Sequence, residues 1–96
     1  MLRKNDICKI YYIAKISHWE ENRGMLDSKR LKNLGINIKS ERLRKNISQE
    51  RLAELTNISR NSVSLIETGK INPTVLKVLD IAGVLGTDLN ALTRDI

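Results

Sequence analysis

Ser48-Gln-Glu-Arg-Leu-Ala-Glu-Leu-Thr-Asn-Ile-Ser-Arg-Asn-Ser-Val-Ser-Leu-Ile-Glu-Thr-Gly-Lys70 reads as two short helices joined by a tight turn. Ser48 suits an N-cap, because its hydroxyl can accept a hydrogen bond from one of the backbone N–H groups that a first helical turn leaves unpaired, and good helix formers follow through Leu55. The inward stripe of that helix is expected to be Leu52, Leu55 and Thr56. Ala53 lies beside them, where a second helix crosses closely and a larger side chain would push the backbones apart. Asn57 stands where the chain must reverse, and after Gly it is the residue that adopts the left-handed conformation at least cost. Ile58 fills the corner, Ser59 caps the next helix, and Val63 and Ile66 recur at helical spacing to bury one side of it. The opposite side presents Arg60, Asn61, Ser62, Ser64 and Leu65, with no acidic charge among them. Two such helices, the second with an open polar face, have the geometry of a DNA-binding unit.

Working outward, Ile36, Ile38, Lys39, Arg42 and Leu43 suit a preceding helix ending near Asn46, with Ile36, Leu43 and Ile47 predicted inward. Beyond Gly69 the chain loops through Asn72, and Pro73–Thr74 suits a helix start in which the missing proline N–H costs nothing. Val75, Val78, Leu79, Ala82 and Leu85 then form an apolar stripe, Gly86 is the expected stop, and Asp88 caps a last short helix carrying Leu89 and Leu92. Five helices therefore fit between Ile36 and Thr93, an all-α arrangement.

Gln49, Ala53, Ile58–Ser59–Arg60, Ile66–Glu67, Gly69–Lys70 and Asn72–Pro73, in that order, resemble the Cro/phage-repressor (XRE) helix-turn-helix family over Ile36 to Leu92. The resemblance implies a five-helix lambda-repressor-like DNA-binding domain at 35–96, preceded by an N-terminal extension at 1–34. It also implies roles. Ser48, Gln49, Ser59, Thr68 and Lys70 would hold the sugar-phosphate backbone of double-stranded DNA, through helix N-termini and amide donors. Arg42 and Glu67 would form a partly buried ion pair tying the first helix to the end of the recognition helix. Members of this kind commonly use the last helix as a dimer contact.

Base reading follows from the chemistry of the exposed face, Arg60, Asn61, Ser62, Ser64 and Leu65. Arg60 suits a bidentate contact to guanine O6 and N7, and Asn61 suits adenine N6 and N7, each worth about 1–3 kcal/mol of discrimination. Ser64 is small and permissive. Leu65 offers only apolar contact to a thymine methyl, where many relatives carry a longer polar residue. One such unit covers only a few base pairs, so a homodimer placing two reading helices about 34 Å apart on a palindrome is expected. Leu76, Val84 and Leu92 lie partly outside the predicted core stripe and are candidates for that contact.

The composition fits one small domain. With 96 residues and 41% hydrophobic content the chain can bury a single modest core. A net charge of +6 and a pI near 9.8 suit a polyanionic partner. The surplus is N-terminal and central: 8 basic against 4 acidic residues in 1–34, 7 against 4 in 35–72, and 2 against 3 in 73–96. No apolar run is long enough to span a bilayer and the start lacks a secretory signal, so a cytoplasmic, nucleoid-associated protein is expected. Cys8 and His18 each stand alone, which excludes an intramolecular disulfide and gives no metal site or cofactor. With no nucleophile–base pair and no phosphate-binding glycine loop, the chain does not read as an enzyme.

The extension holds Tyr11, Tyr12 and Trp19, the only aromatic residues. Lys9 to Ile16 fits a short strand, with Cys8, Ile10, Tyr12, Ala14 and Ile16 on one face, and fits a helix almost as well. The strand reading makes it a dimerisation arm, since a lone strand cannot satisfy its own backbone. Met25 opens a second candidate start. Three functions agree with these readings: a sequence-specific transcriptional regulator, with a repressor favoured because the chain leaves no room for a sensor; an antitoxin whose 1–34 segment meets a small toxin; and a restriction-modification controller.

Overall fold

The computed structural model describes residues 27–96, and the candidate strand at 9–16 lies outside them. Five helices and no strand occupy the described residues: α1 at 27–44, α2 at Gln49–Thr56, α3 at Arg60–Glu67, α4 at Val75–Leu85 and α5 at Leu89–Leu92.

Side-chain oxygens start four of these helices in the same way. The Ser48, Ser59 and Thr74 hydroxyls and an Asp88 carboxylate oxygen each accept the backbone N–H three residues on, from Arg51, Ser62, Lys77 and Ala91, at 3.0, 3.0, 3.2 and 2.8 Å. Pro73 therefore precedes the cap and does not open the helix: Thr74 is the N-cap and Val75 the first helical residue. The stops are equally regular. Asn46, Asn57, Gly69 and Gly86 all have φ between 55° and 72°. At each, the next residue's N–H returns to a carbonyl five positions back, as in Ile58 to Ala53 at 3.1 Å and Thr87 to Ala82 at 2.9 Å. The predicted reversal at Asn57 is such a stop, at φ 57°.

Ile38, Leu52, Val63, Ile81, Leu85 and Leu92 are fully enclosed at the centre, with Leu34, Ala53, Ile66, Val78 and Ala82 around them. Each such aliphatic side chain contributes about 1.5–3 kcal/mol by leaving water. Several expected core residues are not there. Ile36 and Leu43 are 58% and 55% exposed, because α1 turns Leu34, Ile38 and Arg42 inward at a four-residue spacing. Leu55 is exposed at the edge of a stripe made by Leu52, Ala53 and Thr56. On α4 the inward set is Val78, Ile81, Ala82 and Leu85, which leaves Val75 and Leu79 facing solvent. Leu92 is buried completely and offers nothing to a partner.

α1 passes without a break through residues 34 and 35 and supports both ends of the domain. Its Asn37 amide donates to the Leu92 and Arg94 carbonyls at 2.9 and 2.7 Å, and Asn33 donates to the Asp95 carbonyl at 3.2 Å. Against α3 it comes closer still. A Cβ built on Gly35 would collide with the Glu67 carbonyl oxygen and lie 2.6 Å from that of Ile66, so only a residue without a side chain fits this crossing.

Candidate nucleic-acid interface

The α2–turn–α3 unit is held to α1 by one polar cluster. Arg42 donates from Nε to Oε2 of Glu67 at 2.7 Å and from Nη2 to Oε1 at 3.1 Å, and both residues are buried. Arg42 also donates from Nη1 to the Ile47 carbonyl at 2.9 Å. Gln49 donates from Nε2 to the same Glu67 Oε1 at 3.1 Å. Glu67 thus receives three donors from two other helices, which is the condition under which a buried charge is tolerated. The family resemblance places Gln49 only at a DNA backbone. Its amide nitrogen is, in addition, one of the groups that fix the end of α3.

On the outside, Gln49, Arg60, Asn61 and Ser64 line one shallow depression, so the first turn of α2 and the first two turns of α3 share a surface. Arg60 and Asn61 are exposed at the start of α3, Ser64 is half-buried one turn on, and Leu65 is half-buried at the margin. Ser62 lies differently. Its hydroxyl oxygen accepts a hydrogen bond from that of Ser59 at 2.8 Å, and Ser59 in turn caps the helix, so these two serines stabilise the α3 terminus. Ser48 does the same for α2.

Thr68 and Lys70 follow α3, where the N–H groups are already in use. Those of Thr68, Gly69 and Lys70 return to the Ser64, Ile66 and Leu65 carbonyls at 3.1, 3.1 and 2.9 Å, and the Thr68 hydroxyl donates to the Ser64 carbonyl at 2.8 Å. The amide donors expected in this loop are therefore committed to ending the helix. The exposed ammonium of Lys70 is available to an anion.

Glu50 is a neighbour of the site to which residue patterns alone do not point. Its Oε1 lies 3.7 Å from Nε of Arg60, with both side chains about two-thirds exposed. Its place in the first turn of α2 is legible, since an acid there complements the helix dipole. Its approach to Arg60 depends on the angle between α2 and α3. Among the described residues no group of His, Cys, Asp or Glu could hold a metal ion. No helix among them is long and apolar enough to cross a membrane.

Capped helices, a left-handed turn at Asn57, and an exposed polar face on the second helix define a helix-turn-helix DNA-binding domain. The family HTH_3, described as Helix-turn-helix, matches residues 38–92, and the chain belongs to it. It is a DNA-binding transcriptional regulator of the XRE/Cro-C1 type.

Solved structures agree with this assignment. The clp gene regulator ClgR from C. glutamicum shares the fold at 22% identity, with a TM-score of 0.63 over 65% of this chain and 80% of that one. The restriction-modification controller protein C.AhdI from Aeromonas hydrophila is 31% identical, with a TM-score of 0.63 over 65% of this chain and 94% of that one. An HTH_3 family transcriptional regulator from Vibrio cholerae is 26% identical, with a TM-score of 0.65 over 69% of this chain but 37% of that one. No curated protein matches the sequence.

Proposed function

We propose that this regulator is a repressor that binds a palindromic operator as a homodimer in the cytoplasm, with α3 as its reading helix. The observation that carries the reading is the surface shared by Gln49, Arg60, Asn61 and Ser64. Arg60 and Asn61 read guanine and adenine edges, and Ser64 leaves room for the base beside them. The first turns of α2 and α3 hold phosphates, because their leading N–H groups have no carbonyl partner within the helix. Gln49 sets the attitude of α3 through Glu67 and borders the groove itself. Lys70 adds a cation at the far end.

The dimer reading is supported by Leu76, 72% exposed on α4, and by Val75 and Leu79 exposed around it. Selection of bound duplexes from a random pool by the full chain tests the whole proposal. The expected product is an inverted repeat with half-sites about one helical turn apart, centre to centre. Enrichment of a single asymmetric site, or of none, overturns it.

A second reading, control of a restriction-modification operon, is favoured by the 31% identity to C.AhdI over 94% of that protein. A selected operator lying upstream of a methyltransferase or nuclease gene in the source genome supports it. No observation among residues 27–96 favours a toxin partner.

A further inference from the structure

We propose that the DNA contact continues past the helix-turn-helix onto the N-terminal half of α1, where Lys32, with Lys29 one turn before it, binds phosphate groups alongside Lys70. This rests on the DNA-binding surface proposed above and extends it to residues outside the 38–92 family match. Gly69 brings the two parts together. A Cβ on Gly69 would lie 2.7, 2.8 and 2.9 Å from N, Cα and Cγ of Lys32, so α1 lies directly against the loop that carries Lys70. Lys29, Lys32 and Lys70 are all exposed.

Lys29 and Lys32 are three residues apart and therefore share one side of α1. Asp27, five residues before Lys32, is turned about 140° away from it at 3.6 residues per turn. Glu67, the acid closest to Gly69 in the chain, is buried and committed to Arg42 and Gln49. The edge where α1 meets the α3–α4 loop is thus lined with cations, while the Thr68, Gly69 and Lys70 amides are used up in ending α3. Beside Gly69, cationic side chains are the means by which this edge holds a polyanion. Such contacts position the protein and carry no sequence information.

The test is the salt dependence of binding by the full chain, measured on a duplex selected from a random pool and on a scrambled duplex of the same length. Removing one phosphate contact should reduce the slope of log affinity against log salt by about 0.9. Lys29→Gln/Lys32→Gln is expected to lose affinity by the same factor on both duplexes, to lower the slope by one to two such steps for each protomer of the bound dimer, and to keep the wild-type melt and operator preference. Lys32→Arg in the Lys29→Gln background is expected to recover one step for each protomer. A slope and affinity equal to wild type in the double variant overturns the proposal, while Arg60→Ala losing operator preference in the same assay shows that the underlying DNA reading stands. Unchanged preference in Arg60→Ala overturns that reading, and this proposal with it.

Discussion

Arg42 on α1 grips Glu67 at the end of α3 through two parallel hydrogen bonds of 2.7 and 3.1 Å, twenty-five residues apart in sequence and both buried. The pairing fixes the last turn of the helix whose first two turns carry Arg60, Asn61 and Ser64. Gln49 joins it from α2, so all three helices meet on one carboxylate. A small aliphatic core resists separation of helices but says little about their rotation. A fork of donors on a planar carboxylate specifies rotation as well.

Glu67→Ala should destabilise the domain by about 3–5 kcal/mol, because it leaves the Arg42 guanidinium buried without its anion. At about 4–8 °C per kcal/mol for a domain of this size, the melting temperature should fall by more than about 10 °C. Circular-dichroism melts of wild type and variant check this. A melt within a few degrees of wild type shows that the pair does not brace the unit. The double variant Arg42→Met/Glu67→Leu should be far less damaging than either single loss, since no buried charge is stranded.

Gly35 and Gly83 are both helical glycines, and their substitutions should have opposite signs. A Cβ on Gly83 meets nothing within 4 Å, so Gly83→Ala should stabilise by about 0.4–1 kcal/mol through the unfolded chain and helix propensity. A Cβ on Gly35 meets the backbone carbonyls of Ile66 and Glu67, which no rotamer change can relieve. Gly35→Ala should therefore cost about 1–3 kcal/mol, the range for overpacked interiors. Urea denaturation of the two variants side by side decides it, and equal effects would refute the close crossing.

These two sites mark the border of what one sequence reveals. The caps at Ser48, Ser59 and Asp88 and the turn at Asn57 are legible because a cap or a left-handed stop is decided within three or four residues of its own position. The inward face of α1 is not. Hydrophobic periodicity nominates Ile36 and Leu43, whereas the helix buries Arg42, whose place depends on a carboxylate in another helix. Gly35 is silent in sequence for the same reason: its meaning is a carbonyl more than thirty residues away. Residue type and spacing alone put Arg60 and Asn61 on an exposed face, while the approach of Glu50 to Arg60 needs the angle between α2 and α3.

Glu50→Gln tests what that approach does. The Glu50–Arg60 pair is exposed and long, so it contributes under about 1 kcal/mol to stability. The carboxylate also lies in the first turn of α2, beside the proposed phosphate site, where a negative charge repels DNA. Its removal should leave the melt within a few degrees of wild type. Affinity for a scrambled duplex should rise several-fold at low salt, with a smaller gain on the selected operator, so the ratio between them narrows. Fluorescence anisotropy on both duplexes measures this, and an unchanged affinity for the scrambled duplex counts against a DNA-facing Glu50.

Arg60→Ala separates reading from folding. Arg60 is exposed, opens α3 one residue after the Ser59 cap, and is tied to Glu50 only at 3.7 Å, so the melt should be nearly unchanged. A bidentate bond to guanine is worth about 1–3 kcal/mol of discrimination, roughly 5- to 150-fold, and two half-sites lose it together in a dimer. Operator preference over a scrambled duplex should therefore collapse while weak, salt-sensitive binding to both remains. Lys70→Ala should show the reverse pattern: preference is kept, and affinity and salt slope fall on both duplexes alike. If the two variants behaved identically, reading and holding would not be divided between α3 and the loop that follows it, and the role of α3 as the reading helix would have to be abandoned.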